Sequence, residues 1–183
     1  MSTRKITDDI EQLINDRLNK RLKEFEDNQE TIFKILATTL TDEQIFQIFN
    51  DCNLIMIKSI LSNKKDFDIN KFYEKCDRHR RITLLFSACR NGSEEVVRLL
   101  LLHDNIDVNR ATPFTGTTPL SIACFKGYEG VVRLLLDHST TVVNQATTKD
   151  GATPLYIACE KGNKGVVQLL LAHAATDVNQ ART

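Results

Sequence analysis

Three cysteines and three histidines recur at a single spacing in this chain. Cys89, Cys124 and Cys159 are each 35 residues apart, and so are His103, His138 and His173. Thiolate and imidazole are the groups that ligate zinc and form nucleophile–base dyads, so these two chemistries come first. The spacing argues against both. Equivalent positions in stacked helical units lie about 8–10 Å apart. Zinc needs sulfur at about 2.3 Å and nitrogen near 2.0 Å, and a disulfide needs Cα atoms about 5.5–6 Å apart. One residue per unit cannot converge on one ion, and a dyad in every unit would make three identical sites with no repeated carboxylate or amide to orient the base. The cysteines are therefore expected to be small buried apolar groups. The histidines are expected to cap helix C-termini, where imidazole meets the negative end of the dipole and free carbonyls. No Gly-rich phosphate loop, His-Glu-x-x-His or Gly-x-Ser-x-Gly occurs, so no catalysis, metal or cofactor is expected.

The other candidate is Arg78-His79-Arg80-Arg81 with Phe72 and Tyr73 close by, residue types that bind phosphate and stack on bases. Glu74 and Asp77 dilute this patch, so a solvated loop or protein-contact patch is expected in preference to a nucleic-acid site. The 24 Lys+Arg balance 24 Asp+Glu, leaving no global field to draw in polyanions. With 42% hydrophobic and 26% charged residues, the chain has a globular composition. No apolar run nears the roughly 20 residues that span a bilayer, and the first residues lack the apolar core of a signal peptide. Five cysteines without a disulfide spacing point to a reducing, cytoplasmic setting, with the nucleus also compatible.

These residues are carried by a segment written three times, at 83–117, 118–152 and 153–183, the last incomplete. Thr83/Thr118/Thr153, Ala88/Ala123/Ala158, Gly92/Gly127/Gly162, Val96-Val97/Val131-Val132/Val166-Val167 and Asn109/Asn144/Asn179 fall in register. A fixed period of this size marks stacked units, each unable to bury its apolar face alone. In the middle copy Thr118 caps a helix with Pro119 at its first position. Gly127 stops it in the left-handed conformation, and Val131, Val132, Leu134, Leu135 and Leu136 give a second helix with a wide apolar face. Residues 142–151 then return the chain as an extended, turn-containing excursion. Helices below roughly 12–15 residues are not stable alone, so these depend on buried Leu and Val at about 1.5–3 kcal/mol each. Ala123 and its equivalents are small where paired helices approach, and a bulky replacement should cost about 1–3 kcal/mol.

The pattern Thr-Pro-Leu-x-x-Ala-Cys-x-x-Gly-x-x-x-Val-Val-x-Leu-Leu-Leu, closing on Val-Asn, resembles the ankyrin repeat and covers 83–183. The resemblance implies an all-α solenoid of stacked antiparallel helix pairs with projecting hairpin-like loops. The sequence departs from the family in several places. Its period exceeds the usual 33 or so, and the usual glycine after the second helix is absent. The histidine of Thr-Pro-Leu-His is replaced by Phe86, Ser121 and Tyr156, which predicts looser coupling between repeats.

Upstream, Thr41-Asp-Glu-Gln44 matches a capping box. Aligning Ile60-Leu61 with Leu99-Leu100 puts Asn53 on Gly92, so 41–82 reads as a degenerate unit (41–70) followed by a lengthened basic loop. In region 1–40, Ile10, Leu13, Ile14, Leu18, Leu22, Phe25, Ile32 and Leu36 recur at helical spacing. They predict an amphipathic helix over 7–40 that caps the first unit. Self-association through its stripe is less favoured, because the heptads are few and impure. At the other end Val166, Val167, Leu170 and Leu171 lack a polar terminal repeat, as expected for a fragment of a longer array or a face covered by a partner.

The resemblance implies a non-catalytic scaffold or adaptor that binds another protein on its concave face. The alternatives are a regulatory or targeting segment of a larger enzyme, and a self-assembling structural protein. Contacts in the family come from excursion tips, the residue before the Thr, and the two residues before the first helix's Gly. Here these are His79, Arg80 and Ile82 with Arg90 and Asn91; Phe114, Thr115 and Thr117 with Phe125 and Lys126; and Lys149, Asp150 and Ala152 with Glu160 and Lys161. Phe114 and Phe125 are the expected anchors, since exposed aromatic groups often carry interface energy.

Overall fold

Each Val/Leu-rich stretch forms a short helix whose apolar stripe is satisfied only against other helices. The computed structural model describes residues 40–63, 67–74 and 81–180, with isolated helical positions between Arg17 and Thr39. The amphipathic helix expected over 7–40 otherwise lies outside the described residues. Eight helices run through those residues: α1 Asp42–Asn50, α2 Leu54–Asn63, α3 Leu84–Asn91, α4 Glu94–Leu101, α5 Pro119–Lys126, α6 Glu129–Leu136, α7 Pro154–Glu160 and α8 Lys164–Ala172. They pack as consecutive pairs in two rows, with α1, α3, α5 and α7 in one and α2, α4, α6 and α8 in the other. A short antiparallel hairpin, β1 Tyr73–Glu74 and β2 Arg81–Ile82, precedes α3 and sets Tyr73 opposite Ile82.

The ends of the first-row helices follow the local sequence. Thr83, Thr118 and Thr153 accept through Oγ1 from the backbone N–H groups of Phe86, Ser121 and Tyr156 at 3.1, 3.0 and 3.2 Å. Each bond satisfies a donor that the helix start leaves free. Thr41 and Gln44 form the full capping box of α1. Gly92 and Gly127 end α3 and α5 in the left-handed region at φ 74° and 75°.

In α1 the register differs from the sequence expectation. Cys52, at φ 56°, holds the position of Gly92, with Asn53 one residue later before α2. The cause is the register of the second helices: α2 and α4 each begin just after the residue that follows the left-handed one, so Ile60 and not Leu61 falls on Leu100, and both are fully buried. Sγ of Cys52 lies 2.8 Å from Oγ of Ser93 on the neighbouring turn.

Burial shows where the units meet. Leu100, Leu135 and Leu170 are fully buried in all three copies. Cys89 and Cys124 are also fully buried, whereas Cys159 is exposed. Val108 and Val143 are 2% and 4% exposed and Val178 is 61% exposed. The positions that change are those the following unit covers, and no following unit lies on α7 among the described residues. The expected burial of Cys159 is thereby corrected: that position owes its burial to the neighbour and not to its own helices.

Side-chain amides also join the units. Asn70, Asn109 and Asn144 donate through Nδ2 to the carbonyls of Asn105, Thr140 and Ala175 at 2.7, 2.7 and 2.6 Å. The same residues accept through Oδ1 from the N–H groups of Asp107, Val142 and Asp177 at 2.8, 2.8 and 2.9 Å. Each asparagine thus occupies two backbone groups of the next loop that would otherwise lack partners.

The histidines do not cap helix carbonyls through their rings. Thr141 and Thr176 do so with their hydroxyls, donating to Leu135 O and Leu170 O. Two of the rings brace the turn instead: His138 Nδ1 lies 3.1 Å from Thr140 Oγ1, and His173 Nδ1 accepts from the Ala175 N–H at 3.3 Å, whereas His103 Nδ1 is buried without a hydrogen-bond partner among the described residues. They sit just past the last helical turn, where the nearest groups belong to the loop.

Candidate interaction groove

The excursions fold back as tight fingers because threonine and glycine stand where the turn needs them. In the first complete finger Thr112 N–H donates to Thr117 O at 3.0 Å and Gly116 N–H to Thr112 O at 2.9 Å. Oγ1 of Thr115 lies 2.8 Å from that of Thr112 and 2.6 Å from that of Thr117. In the next finger Thr147 N–H donates to Ala152 O at 3.0 Å and Gly151 N–H to Thr147 O at 3.1 Å.

The fingers are joined directly, since Thr148 N–H donates to Thr115 O at 3.0 Å. Gly116 makes this possible. It has φ 66°, and a Cβ there would lie 2.4 Å from the Thr148 nitrogen. Within the start of α5, Ser121 Oγ lies 2.9 Å from Thr118 Oγ1.

Between fingers and first-row helices lie two adjoining cavities of about 400 and 390 Å³. They share Thr115, Thr117, Ile122 and Lys149 and so form one groove. At one end Phe86 and Ile122 make the floor, Phe114 a wall, and Arg81, Arg90 and Lys149 the charged rim. At the other, Phe125 faces Ile157, with Asp150, Glu160, Lys149 and Lys161 around them. The Lys161 ammonium stands 4.7 Å from the Phe125 ring centroid and that of Lys126 5.9 Å, within the range of a cation–π contact.

Most of the expected contact residues meet at this groove. Phe114 is 72% exposed and Phe125 44%. Arg90, Thr115 and Thr117 are half-buried, and Lys149, Asp150, Glu160 and Lys161 are exposed along its walls. Asn91 and Lys126 are exposed but line neither cavity. Ile82 and Ala152 are buried, at 2% and 3%. They lie in the groove floor, Ile82 held by β pairing to Tyr73 and Ala152 by its bonds to Thr147, and present little exposed surface there. His79 and Arg80 lie outside the described residues. Sequence reasoning missed Phe86, Ile122 and Ile157, which line the groove from the first-row helices. The signal available was their apolar character on the finger-facing side of α3, α5 and α7.

The cysteines have no reactive environment at the core. Burial, with the neighbouring Cys124 adding to it, pushes the Cys89 thiol far up, and burial pushes Cys124 up to about 12. Neither is a thiolate near neutral pH. Tyr73, stacked on Phe46 at 5.5 Å, has its phenol raised by burial and then by Asp42 and Asp68. No group of three or more His, Cys, Asp or Glu able to hold a metal ion occurs among the described residues. None of their helices is long and apolar enough to cross a membrane.

Helix pairs in two rows, cross-linked fingers and a groove between them define a helical repeat solenoid. A family model describing ankyrin repeats (3 copies) matches residues 45–146 and 106–182. The chain belongs to the ankyrin-repeat family. Ankyrin repeats generally serve as protein–protein interaction modules and typically carry out no catalysis. No curated protein matches the sequence.

Proposed function

We propose that this chain is a non-catalytic scaffold or adaptor that binds a partner protein in the groove between its fingers and first-row helices. The observation that carries this reading is Phe114, a large apolar ring 72% exposed on a finger closed by its own backbone bonds and joined by another to the following finger. Fixing a contact surface before binding removes part of the ordering cost of association. Phe125 supplies a second apolar surface further along the groove, its ring already oriented by Lys161.

Affinity capture with the chain, followed by mass spectrometry, tests the proposal when run beside the Phe114→Ala/Phe125→Ala variant. Truncating two central anchors should reduce capture at least tenfold, because such residues commonly carry more than about 1 kcal/mol each. Equal capture by a variant with unchanged circular dichroism would contradict the reading.

A further inference from the structure

We infer that the open face of the last unit, α7 and α8, takes the first unit, α1 and α2, of a second copy of this chain, head to tail. The groove plays no part in this contact. Three seams inside the chain show what such a face needs, because equivalent residues meet at each. The residue before every second helix lies over the left-handed turn of the preceding unit. Ser93 reaches Cys52, while a Cβ at Gly92 would meet the Tyr128 ring at 3.0 Å and one at Gly127 the Asn163 amide at 2.8 Å. Asn163 also donates through Nδ2 to Cys124 O at 2.7 Å. Gly162 makes the same turn, at φ 69°, and a Cβ there meets nothing within 4 Å. The slot is formed and open. Around it Cys159 and Val178 are exposed where their equivalents are buried, and Asn179 has no following loop to hold among the described residues.

The first unit carries the matching parts. Asn53 precedes α2 as Asn163 precedes α8, and it is exposed. Its Oδ1 accepts from the Met56 N–H at 3.2 Å, which leaves Nδ2 for the Cys159 carbonyl of another copy. Ile55, two residues on, is 64% exposed. Its equivalents Gly130 and Gly165 lie against the unit before them, since a Cβ on either would meet the carboxylate of Glu94 or Glu129. Ile55 therefore marks the side of α2 that faces a preceding unit. Opposite it the last unit has Lys164 in place of those glutamates, and a lysine stem can lie along an apolar side chain with its ammonium in water. Asp51 would come against Glu160, as Asn91 reaches Asn50 at 3.0 Å and Lys161 stands over Phe125. Lys161, 3.8 Å from Glu160, and Lys164 balance those two carboxylates, so apolar contact and not charge drives the seam. It continues the seams already present inside the chain. A contact of head to tail is heterologous, and it propagates from copy to copy unless the rotation closes a ring.

Sedimentation velocity of the full chain over a wide concentration range tests this, beside Ile55→Glu and Val178→Glu, two exposed positions whose change should leave circular dichroism unaltered. The mean mass of the parent should rise with concentration, and alkylation of Cys159 should slow with it. Each variant should associate at least tenfold more weakly, because its carboxylate would enter an apolar seam. Mixing the two variants should give a 1:1 complex and nothing larger, since the mixture keeps one intact face of each kind. A parent that stays monomeric throughout, as when residues 1–40 cap the first unit, would overturn the inference. Association of either variant alone at the parental strength would overturn it too, and so would a mixture that forms no complex. Partner capture by the groove, with its own phenylalanine variants, is read separately from all of these.

Discussion

Asn109 holds the unit that follows it through Thr140: its Nδ2 donates to the Thr140 carbonyl at 2.7 Å. Its Oδ1 accepts from the N–H of Val142 at 2.8 Å, so one side chain pins a loop at two points. Replacing Asn109 by Ala leaves both backbone groups without their partner. We expect a loss of about 1–3 kcal/mol in urea denaturation. Asn179→Ala, at the same position of the last copy, has no following loop among the described residues and should stay within about 0.5 kcal/mol of the parent chain. Equal losses from the two would show that the amides do not couple the units.

Gly116→Ala should disturb the fingers more than Gly162→Ala, although both residues sit at positive φ, 66° and 69°. At Gly162 a Cβ meets nothing within 4 Å, so only the left-handed backbone resists and the cost is about 1 kcal/mol. At Gly116 the Cβ would collide with the Thr148 backbone 2.4 Å away, adding a further 1 kcal/mol or more. Thermal unfolding of the two variants makes the comparison, and a larger loss at Gly162 would contradict it.

Alkaline pH should weaken the fold through Cys89 and Cys124. Burial keeps both protonated in the folded chain, while the unfolded chain releases these protons near the ordinary value of 9.0. Above pH 9 the unfolded state therefore binds fewer protons, and stability falls as pH rises. The slope is about 1.4 kcal/mol per pH unit for each thiol. Denaturant titrations between pH 8 and 10, below the range where the buried Tyr73 phenol adds a slope of the same sign, should show this fall in the parent and lose it in Cys89→Ala/Cys124→Ala. An identical pH dependence in both would exclude the thiols as its source.

Thiol reactivity should separate the three equivalent cysteines. Cys159 is exposed, whereas Cys89 and Cys124 are buried with raised pKa values, and alkylation needs an accessible thiolate. Peptide mapping after brief iodoacetamide treatment should find Cys159 modified well before the other two. Simultaneous labelling would show that the seam over Cys89 and Cys124 opens readily.

Residues that act within one unit were legible in the sequence, and those that act between units were not. Thr118, Pro119 and Gly127 state where α5 begins and ends because caps and left-handed stops are set by local geometry. The match of residues 45–182 to ankyrin repeats agrees with that reading. Cys159 was misjudged because its burial depends on what lies beside it, and Asn53 was set on Gly92 because the apolar run at Ile60-Leu61 fits the second helix equally well one residue out. Ile82 and Ala152 precede a capping threonine like Thr117, but their small or apolar side chains lie in the floor, with each residue paired inside its own hairpin or finger to Tyr73 and to Thr147. The bond from Thr148 to Thr115 joins fingers that are 35-residue neighbours only in space, and no local pattern announces it.

The most direct test of groove binding is hydrogen–deuterium exchange of the full chain with and without a partner recovered by affinity capture. Binding in the groove predicts slowed exchange around 114–117, 125–126, 149–150 and 160–161, with α4 and α6 unchanged on their outward side at Arg98 and Arg133. Protection confined to α4 and α6 would place the partner on the opposite row of helices and contradict the account.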